Sequence, residues 1–386
     1  MSDWVTAKLK EVAKVVTGKT PQTSNSEYYG GDIPFVSPAD LNESILIETK
    51  TYLTSSGADQ VYRVPKNTVL VSCIGNLGKL AITSKEVCFN QQINGLIFDE
   101  QKIFPKYGFY FAQTLKPQLE KASSSTTLPI VNKSRFSDLE IKYPPLTEQR
   151  RIASILDQAD ELRQKRQQAI EKLDQLLQAM FIDMFGDPIE NTKGLEVVPL
   201  LDLCKKITDG THQSPKWATE GIPFLFISNI VDGEIDYSSQ KFIDKTTYDL
   251  LTKSTKIELN DILYTTVGSY GNVARVKSDQ LFCFQRHIAH IKPNFDKVNP
   301  EFLERMLATC GIKKQADRLV RGVAQKTLNL KDLKEIIVFN IPLSEQHNFV
   351  QKCVVIEALK IKFKEALIQS ENLFNSLQNQ AFSGNL

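Results

Sequence analysis

The sequence predicts an α+β protein written twice: two mixed α/β globular domains, each followed by a long helix. Three observations carry this reading. Pro-Leu-Thr-Glu-Gln at residues 145–149 returns as Pro-Leu-Ser-Glu-Gln at residues 342–346. From there a constant shift of 197 lays residues 145–185 on 342–382 without a gap, so that Phe185 falls on Phe382. Upstream, a shift of 193 lays NTVLVSCIGNLGKLA (from Asn67) on NDILYTTVGSYGNVA (from Asn260). VCFNQQI (from Val87) then matches FCFQRHI (from Phe282), and IPFVSPADL (from Ile33) matches IPFLFISNI (from Ile222). A long internal repeat is the strongest organisational signal in a single chain. The shift varies in the mixed segment, which tolerates loop insertions, and stays fixed in the second segment, which behaves as a rigid rod.

The mixed segment reads as strands at NTVLVSCIG and GLIFD, repeated at NDILYTTVG and RHIAHIK. GFYFAQTLKPQLEKA and EFLERMLATCGIKKQADRLV read as helices, with Gly- and Ser-rich turns between elements. The rod segment reads as helix. Thr147 and Ser344 are natural N-caps, and Glu148 and Glu345 sit in the first turn where the helix dipole favours them. Ile152, Ile155, Ala159, Leu162, Arg166, Ala169, Leu173, Leu176 and Met180 form a heptad seam. The same register in the second copy gives Phe349, Lys352, Ile356, Leu359, Phe363, Ala366, Ser370, Leu373 and Leu377. Gly186 with Pro188 stops the first helix, and Gly384 ends the second. Forty helical residues span roughly 60 Å. So long a seam calls for a partner helix, and the chain holds two of them.

Composition narrows the function. At 386 residues the chain is too long for one ordinary core. With 41% hydrophobic and 24% charged residues it has the balance of a soluble globular protein. It has no apolar run of about eighteen residues, so no membrane span is expected. MSDWVTAKLKEV lacks the apolar core of a signal peptide. The six cysteines show no Cys-x-x-Cys spacing, which points to reduced thiols and a cytoplasmic setting. A net charge of +2 means that any nucleic-acid surface must come from local clustering.

Catalytic motifs do not assemble. Ala13–Thr20, AKVVTGKT, is a P-loop without its first glycine, and the second copy lacks the lysine as well. GNLGK, from Gly75, has the wrong spacing for that role. His287 and His290 lie three apart on an expected strand, facing opposite sides, which argues against a metal site. Tyr143-Pro144-Pro145 lacks the Asn or Asp of an amino-methyltransferase motif. What remains is a set of polar loops that recur in both copies and carry the residue types that read base edges and phosphates. In the first copy the candidate DNA-contacting residues are Lys19, Thr20 and Gln22, then Asn76 and Lys79, then Gln91 and Gln92, then Asn132, Lys133 and Arg135. In the second they are Thr211 and His212, then Ser269, Tyr270 and Asn272, then Gln285 and Arg286, then Arg318 and Arg321 with Gln325 and Lys326. They lie within loop pairs such as SSSTTLPIVNKSRF and RLVRGVAQKTLNLKDL, or TGKTPQTSNSEYYGG and TDGTHQSPKWATEG.

The doubled Pro-Leu-x-Glu-Gln helix entry resembles the DNA specificity subunit of type I restriction-modification systems. So does the module TGKTP…YYGGDIPFVSPADL, VLVSCIGNLGKLA, NQQ. The resemblance covers nearly the whole chain. It implies target recognition domains at 1–144 and 189–341, and spacer helices at 145–188 and 342–386 that pack antiparallel in a pseudo-twofold repeat. It further implies double-stranded DNA as ligand and no catalysis and no cofactor in this chain. Its partners would be two methylation subunits using S-adenosylmethionine, and motor-nuclease restriction subunits using ATP and Mg2+. The second copy departs from the pattern at Thr211-His212, where the family tends toward Thr-Pro, and at Arg286, in a turn that reads Asn-Gln-Gln in the first copy. This bears on which bases are read. Two unlike domains on a rod of fixed length would read two short sequences separated by unread bases, since a duplex repeats its face about every 34–36 Å. The alternatives are a stand-alone methyltransferase or nuclease, for which a glycine-rich cofactor loop and an acidic or Asn-Pro-Pro set are missing, and a duplicated protein-binding scaffold.

Overall fold

The computed structural model describes residues 4–42, 44–124, 128–212, 214–253, 256–322 and 325–386. Of the loops quoted above, positions 125–127, 213 and 323–324 lie outside the described residues. The chain divides into two compact units, Met1–Gln167 with Glu365–Leu386, and Gln168–Lys364.

The first unit is built on a sheet in the order Ala13–Thr17, Ile93–Phe98, Val69–Ser72, Leu80–Thr83, with Ile45–Leu46 added at the edge. The second unit repeats the first four strands as Cys204–Asp209, Ile288–Pro293, Ile262–Thr265 and Val273–Arg275. The register repeats too: Ile93 opposes Ser72, and Ile288 opposes Thr265. A side sheet also recurs, with Phe35 beside Cys88 and Phe224 beside Cys283 in parallel pairs. The central strands are buried on both faces. Val69 and Val71 enter one core while Leu70 enters another, and Ile262 and Tyr264 divide from Leu263 in the same way. Two buried faces explain why these segments show unbroken apolar runs rather than alternation.

Each of the two shorter helices expected from the sequence is broken in two. Pro105–Ala112 and Lys116–Ala122 flank a 3-10 turn, because Pro117 has no amide to continue the first helix. Pro300–Leu307 and Cys310–Leu319 are separated at Thr309, whose hydroxyl accepts from the Ile312 amide and starts the second piece.

The long helices span Leu146–Phe185 and Leu343–Ser383. Gly186 and Gly384 follow them with φ of 86° and 81°, a conformation that suits glycine. Their starts correct the expected caps. Thr147 and Ser344 lie inside the helices, and the carbonyls of Pro145 and Pro342 accept the first helical bonds at 2.9–3.1 Å. A proline has no amide of its own to satisfy there, so the turn closes on it without a hydroxyl cap.

The seam also differs from the expected one, and by the same step in both helices. Ile152, Ala159, Arg166 and Leu173 face inward as expected, but their alternates are Leu156, Arg163, Ile170 and Leu177. Leu162 and Leu176 are 40% and 50% exposed. In the second helix Phe349, Ile356, Phe363 and Ser370 hold their places, while Cys353, Lys360, Leu367 and Phe374 replace Lys352, Leu359, Ala366 and Leu373. Within each unit the helices pair antiparallel. In the first, Arg163 lies 4.8 Å over the Phe374 ring, and one turn on Arg166 donates to Ser370 Oγ and the Ala366 carbonyl. In the second, Lys360 pairs with Asp174, while Phe181 packs edge-on to Phe349 at 5.5 Å.

Each helix is fastened to its domain by one glutamine of the repeated motif. Gln149 is fully buried; its Oε1 accepts from the Phe104 amide at 2.8 Å, and its Nε2 donates to the Lys102 and Pro144 carbonyls, both at 2.8 Å. Gln346, 1% exposed, accepts from the Asn299 amide at 2.7 Å and donates to the Lys297 and Ile341 carbonyls at 3.0 and 2.6 Å. One acceptor and two donors on a planar amide match the three backbone groups. Gln149→Leu and Gln346→Leu leave those buried and part-buried groups without their partners, so each variant is expected to lose about 1–3 kcal/mol of stability. Denaturant unfolding checks this; a loss no larger than that of an exposed Gln91→Ala control would count against the clamp.

Candidate nucleic-acid interface

In each unit four loops converge at one end of the main sheet. In the first they are residues 18–25, 73–79, 89–92 and 128–132. In the second they are residues 210–212, 266–272, 284–287 and 325–329. The same backbone bonds sew both sets together. Lys19 N donates to Phe89 O at 3.0 Å, and Thr211 N to Phe284 O at 3.1 Å. Cys73 N donates to Gln92 O at 2.8 Å, and Thr266 N to His287 O at 2.9 Å. Gly75 N donates to Pro129 O, and Gly268 N to Lys326 O, both at 2.9 Å. Val131 N donates to Cys73 O, and Leu328 N to Thr266 O, both at 2.8 Å. Gly18 and Gly210 let the first loop press onto the third: a Cβ on either would lie 2.2 Å from the Asn90 or Phe284 carbonyl oxygen. This agreement is why loops of different sequence present side chains from equivalent points.

The side chains they present are polar and unlike. In the first unit Lys19, Gln22, Asn76 and Gln91 are exposed, and Thr20, Lys79 and Gln92 are half-buried around them. Thr20 Oγ1 donates to Gln91 Oε1 at 2.5 Å, and Gln92 Oε1 accepts from Asn90 Nδ2 at 3.1 Å. In the second unit a cavity of about 320 Å3 opens among Asp209, His212, Arg286, His287 and Gln325, floored by Thr266, Val267 and Leu328. His212 Nε2 lies 2.9 Å from Asp209 Oδ2. Arg286 Nε donates to His287 Nε2 at 3.4 Å. Burial, and then the Arg286 charge, hold His287 below the ordinary histidine range, which favours the neutral ring that can accept this bond. Gln285 and Thr211 are half-buried beside it, and Ser269 and Lys326 are exposed on the neighbouring loops.

Several candidates serve their own fold. Asn132 Oδ1 caps the helix Lys133–Ser137 by accepting from the Arg135 amide at 2.9 Å, and Arg135 donates to the Ala122 carbonyl at 3.0 Å. Lys133 is the exposed first residue of that helix. Asn272 Nδ2 donates to Ile230 O at 3.1 Å. Tyr270 gives its hydroxyl proton to Asp317 at 2.7 Å and lies under Lys313 Nζ, 3.4 Å from the ring centre. Arg321 pairs with Asp332 at 3.6 Å, and Arg318 sits in the last turn of Cys310–Leu319, off the four loops. Asp209 and His287 line the second unit's cavity with charged or titratable side chains and are not among the candidate DNA-contacting residues that the sequence suggests. Their signal was adjacency to His212 and Arg286 along the chain.

The two histidines of His-x-x-His go to different places. His290 is buried, with Nε2 2.7 Å from Asp261 Oδ2, and Lys292 Nζ reaches the same oxygen at 2.8 Å. Burial pushes Asp261 up, but the hydrogen bonds from His290 and Lys292 outweigh it and hold the carboxyl below its ordinary range. Near-P-loop residues Ala13–Thr17 form a strand that runs into a loop, without the helix that a phosphate cradle needs. Among the described residues no helix is long and apolar enough to cross a membrane.

A scaffold repeated within one chain, with two different polar loop sets at the same place, defines a recognition protein with two readers. The family described as type I restriction modification DNA specificity domain matches residues 1–172 and again residues 192–370, and the chain belongs to this family. Its role is DNA target specificity in a type I restriction-modification complex; it is a non-catalytic subunit, and catalysis in these complexes resides in partner subunits. It is 24% identical to the EcoBI specificity subunit of Escherichia coli, over 99% of this chain and 86% of that protein. It is 27% identical to the MjaIX specificity subunit of Methanocaldococcus jannaschii, over 90% of this chain and 86% of that protein. The fold is similar to the type I S subunit of M. genitalium, with TM-score 0.53 at 16% identity over 98% of this chain and 96% of that one. It is similar as well to a chain from a study of complex assembly and conformational transition in the type I R-M system. There the TM-score is 0.56 at 18% identity, over 100% of this chain and 99% of that one.

The Asp261 carboxyl gives the second domain an acid limit. Its folded pKa lies below the ordinary value of 3.8, so its stabilisation is fully present above about that pH and is lost as pH falls further through the folded pKa. Asp261→Asn is therefore expected to lower the melting temperature at pH 7, with the gap to wild type narrowing below about pH 3.8. A gap that does not change with pH would show that charge is not the source.

Proposed function

We propose that this chain reads a bipartite DNA target, one half-site with the four loops of each unit, leaving the bases between them unread. The observation that carries the proposal is the matched set of backbone bonds beneath two unlike polar surfaces. Lys19, Gln22, Asn76 and Gln91 form the reading set of the first domain, with Thr20, Lys79 and Gln92 beside them. His212, Ser269, Arg286, Gln325 and Lys326 form that of the second, with Thr211 and Gln285 beside them. Asn132, Arg135, Asn272, Tyr270 and Arg321 shape the loops, and Lys133 and Arg318 supply charge toward phosphates.

The chain holds no cofactor of its own in this proposal. Two methylation subunits bring S-adenosylmethionine, motor-nuclease subunits bring ATP and Mg2+, and the complex works in the cytoplasm. Recognition domains at 1–144 and 189–341 carry the reading, and helices within 145–188 and 342–386 act as the spacer. The modest net charge of +2 suits a subunit whose partners share the phosphate contacts.

Exchanging residues 1–140 for those of a related specificity subunit is expected to change one half of the methylated sequence and leave the other intact. Simultaneous change of both halves would rule out separate readers. The spacer has its own test. One heptad added in Ala169–Met180 and another in the facing stretch of the second helix, around Lys360, adds roughly 10 Å of helix, from seven residues at 1.5 Å each. At about 3.4 Å per base pair, the unread gap should grow by around three base pairs. Methylation mapping over a library of gaps reads this out, and an active variant with an unmoved gap would remove the helices from the role.

A further inference from the structure

We propose that Gln91 and Arg286 are equivalent base-reading residues: Gln91 takes the major-groove edge of an adenine in one half-site, and Arg286 takes that of a guanine at the matching place in the other. This rests on the DNA-reading role proposed above and adds the base class that each loop selects.

The equivalence is structural. Both residues stand at the tip of the turn between two strands, Val87–Phe89 and Ile93–Phe98 in one unit, Cys283–Phe284 and Ile288–Pro293 in the other. Four backbone bonds place the turn alike. Asn90 N donates to Val36 O at 3.0 Å, as Gln285 N does to Leu225 O at 3.2 Å. Ile93 N donates to Asn90 O at 3.2 Å, as Ile288 N does to Gln285 O at 3.1 Å. The bonds from Lys19 to Phe89 and from Cys73 to Gln92 have their matches in those from Thr211 to Phe284 and from Thr266 to His287. Both tip residues are exposed.

Each tip side chain is also aimed by a neighbour. The Thr20 hydroxyl donates to Gln91 Oε1. A carbonyl oxygen has a second lone pair, so Gln91 keeps one acceptor and its two amide protons for a ligand. That pattern fits adenine, whose N6 donates and whose N7 accepts. Arg286 spends its Nε proton on His287 and keeps the terminal nitrogens, a fork of donors alone. That pattern fits guanine, whose O6 and N7 both accept. Neutral His287 is what allows this aim, and burial beside Arg286 favours that state. Thr20 and His287 are positioning residues in this arrangement.

The test uses the full chain assembled with its methylation subunits and S-adenosylmethionine, on a DNA library with every base of both half-sites randomised. Wild type, Arg286→Gln, Gln91→Arg and Thr20→Ala are compared. In Arg286→Gln a guanine preference at one base pair of one half-site should give way to adenine, with discrimination changing about tenfold or more. Gln91→Arg should make the opposite change in the other half-site, and Thr20→Ala should relax the adenine preference there without lowering the melting temperature. Unchanged base preferences, or uniform weakening on all sequences, would overturn the assignment while leaving the specificity role intact. Wild type that methylates without sequence preference would overturn the assignment together with the role beneath it.

Discussion

Two buried side-chain amides hold the architecture together. Gln149 and Gln346 each join the first turn of a long helix to the loop that enters the neighbouring domain helix, at 102–104 and at 297–299. A backbone amide and two carbonyls, buried or part-buried, would otherwise lose their partners, which costs more than a hydrogen bond gains. The same amides also satisfy Pro144 and Ile341 just before the helices begin. This explains why Pro-Leu-x-Glu-Gln appears twice. The proline carbonyl closes the first turn, and the glutamine locks that turn to the domain. At the other end an aromatic pair completes the fastening, Phe382 on Tyr107 at 5.5 Å and Phe185 on Phe302 at 5.3 Å.

Given that frame, the two copies could diverge almost everywhere else. Even the cores did. Thr68 and Thr83 are bonded through backbone amide and hydroxyl in the first unit. In the second, Asp261 stands at the matching place with His290 and Lys292 on its carboxylate, and the strand bond survives as Val276 N to Asp261 O at 2.8 Å. Backbone geometry persisted while a neutral pair became a charged cluster. The loops follow the same rule with more freedom, because their tips face away from the core and a change there costs little stability. A recognition protein needs this separation of scaffold from surface.

Much of the fold was legible because the repeat supplied an internal comparison. Strands, long helices and their glycine stops follow from pattern and spacing. The seam was half legible. Ile155 stands beside Leu156, and Leu176 beside Leu177, so either neighbour satisfies a spacing of three or four. Only the partner helix decides, and it selects Leu156 and Leu177. The caps failed for a related reason: a Thr or Ser beside a helix start suggests a hydroxyl cap, and nothing in composition reveals that the preceding proline carbonyl already does the work. At the loops, residue type could not separate side chains turned outward from those used at home. Asn132 and Asn272 have the chemistry of base readers, yet both bond to nearby backbone, as short amides often do. In the sequence His287 stands out only as half of a His-x-x-His pair, and its contact with Arg286 becomes visible in three dimensions.

The account rests on one claim, that a single chain carries two independent readers of unlike specificity. Base-resolution mapping of DNA methylated by the assembled complex tests it most directly. The account predicts one motif made of two different specified halves, separated by a gap of fixed length in which every base is tolerated. A continuous motif, or two identical halves, would contradict it.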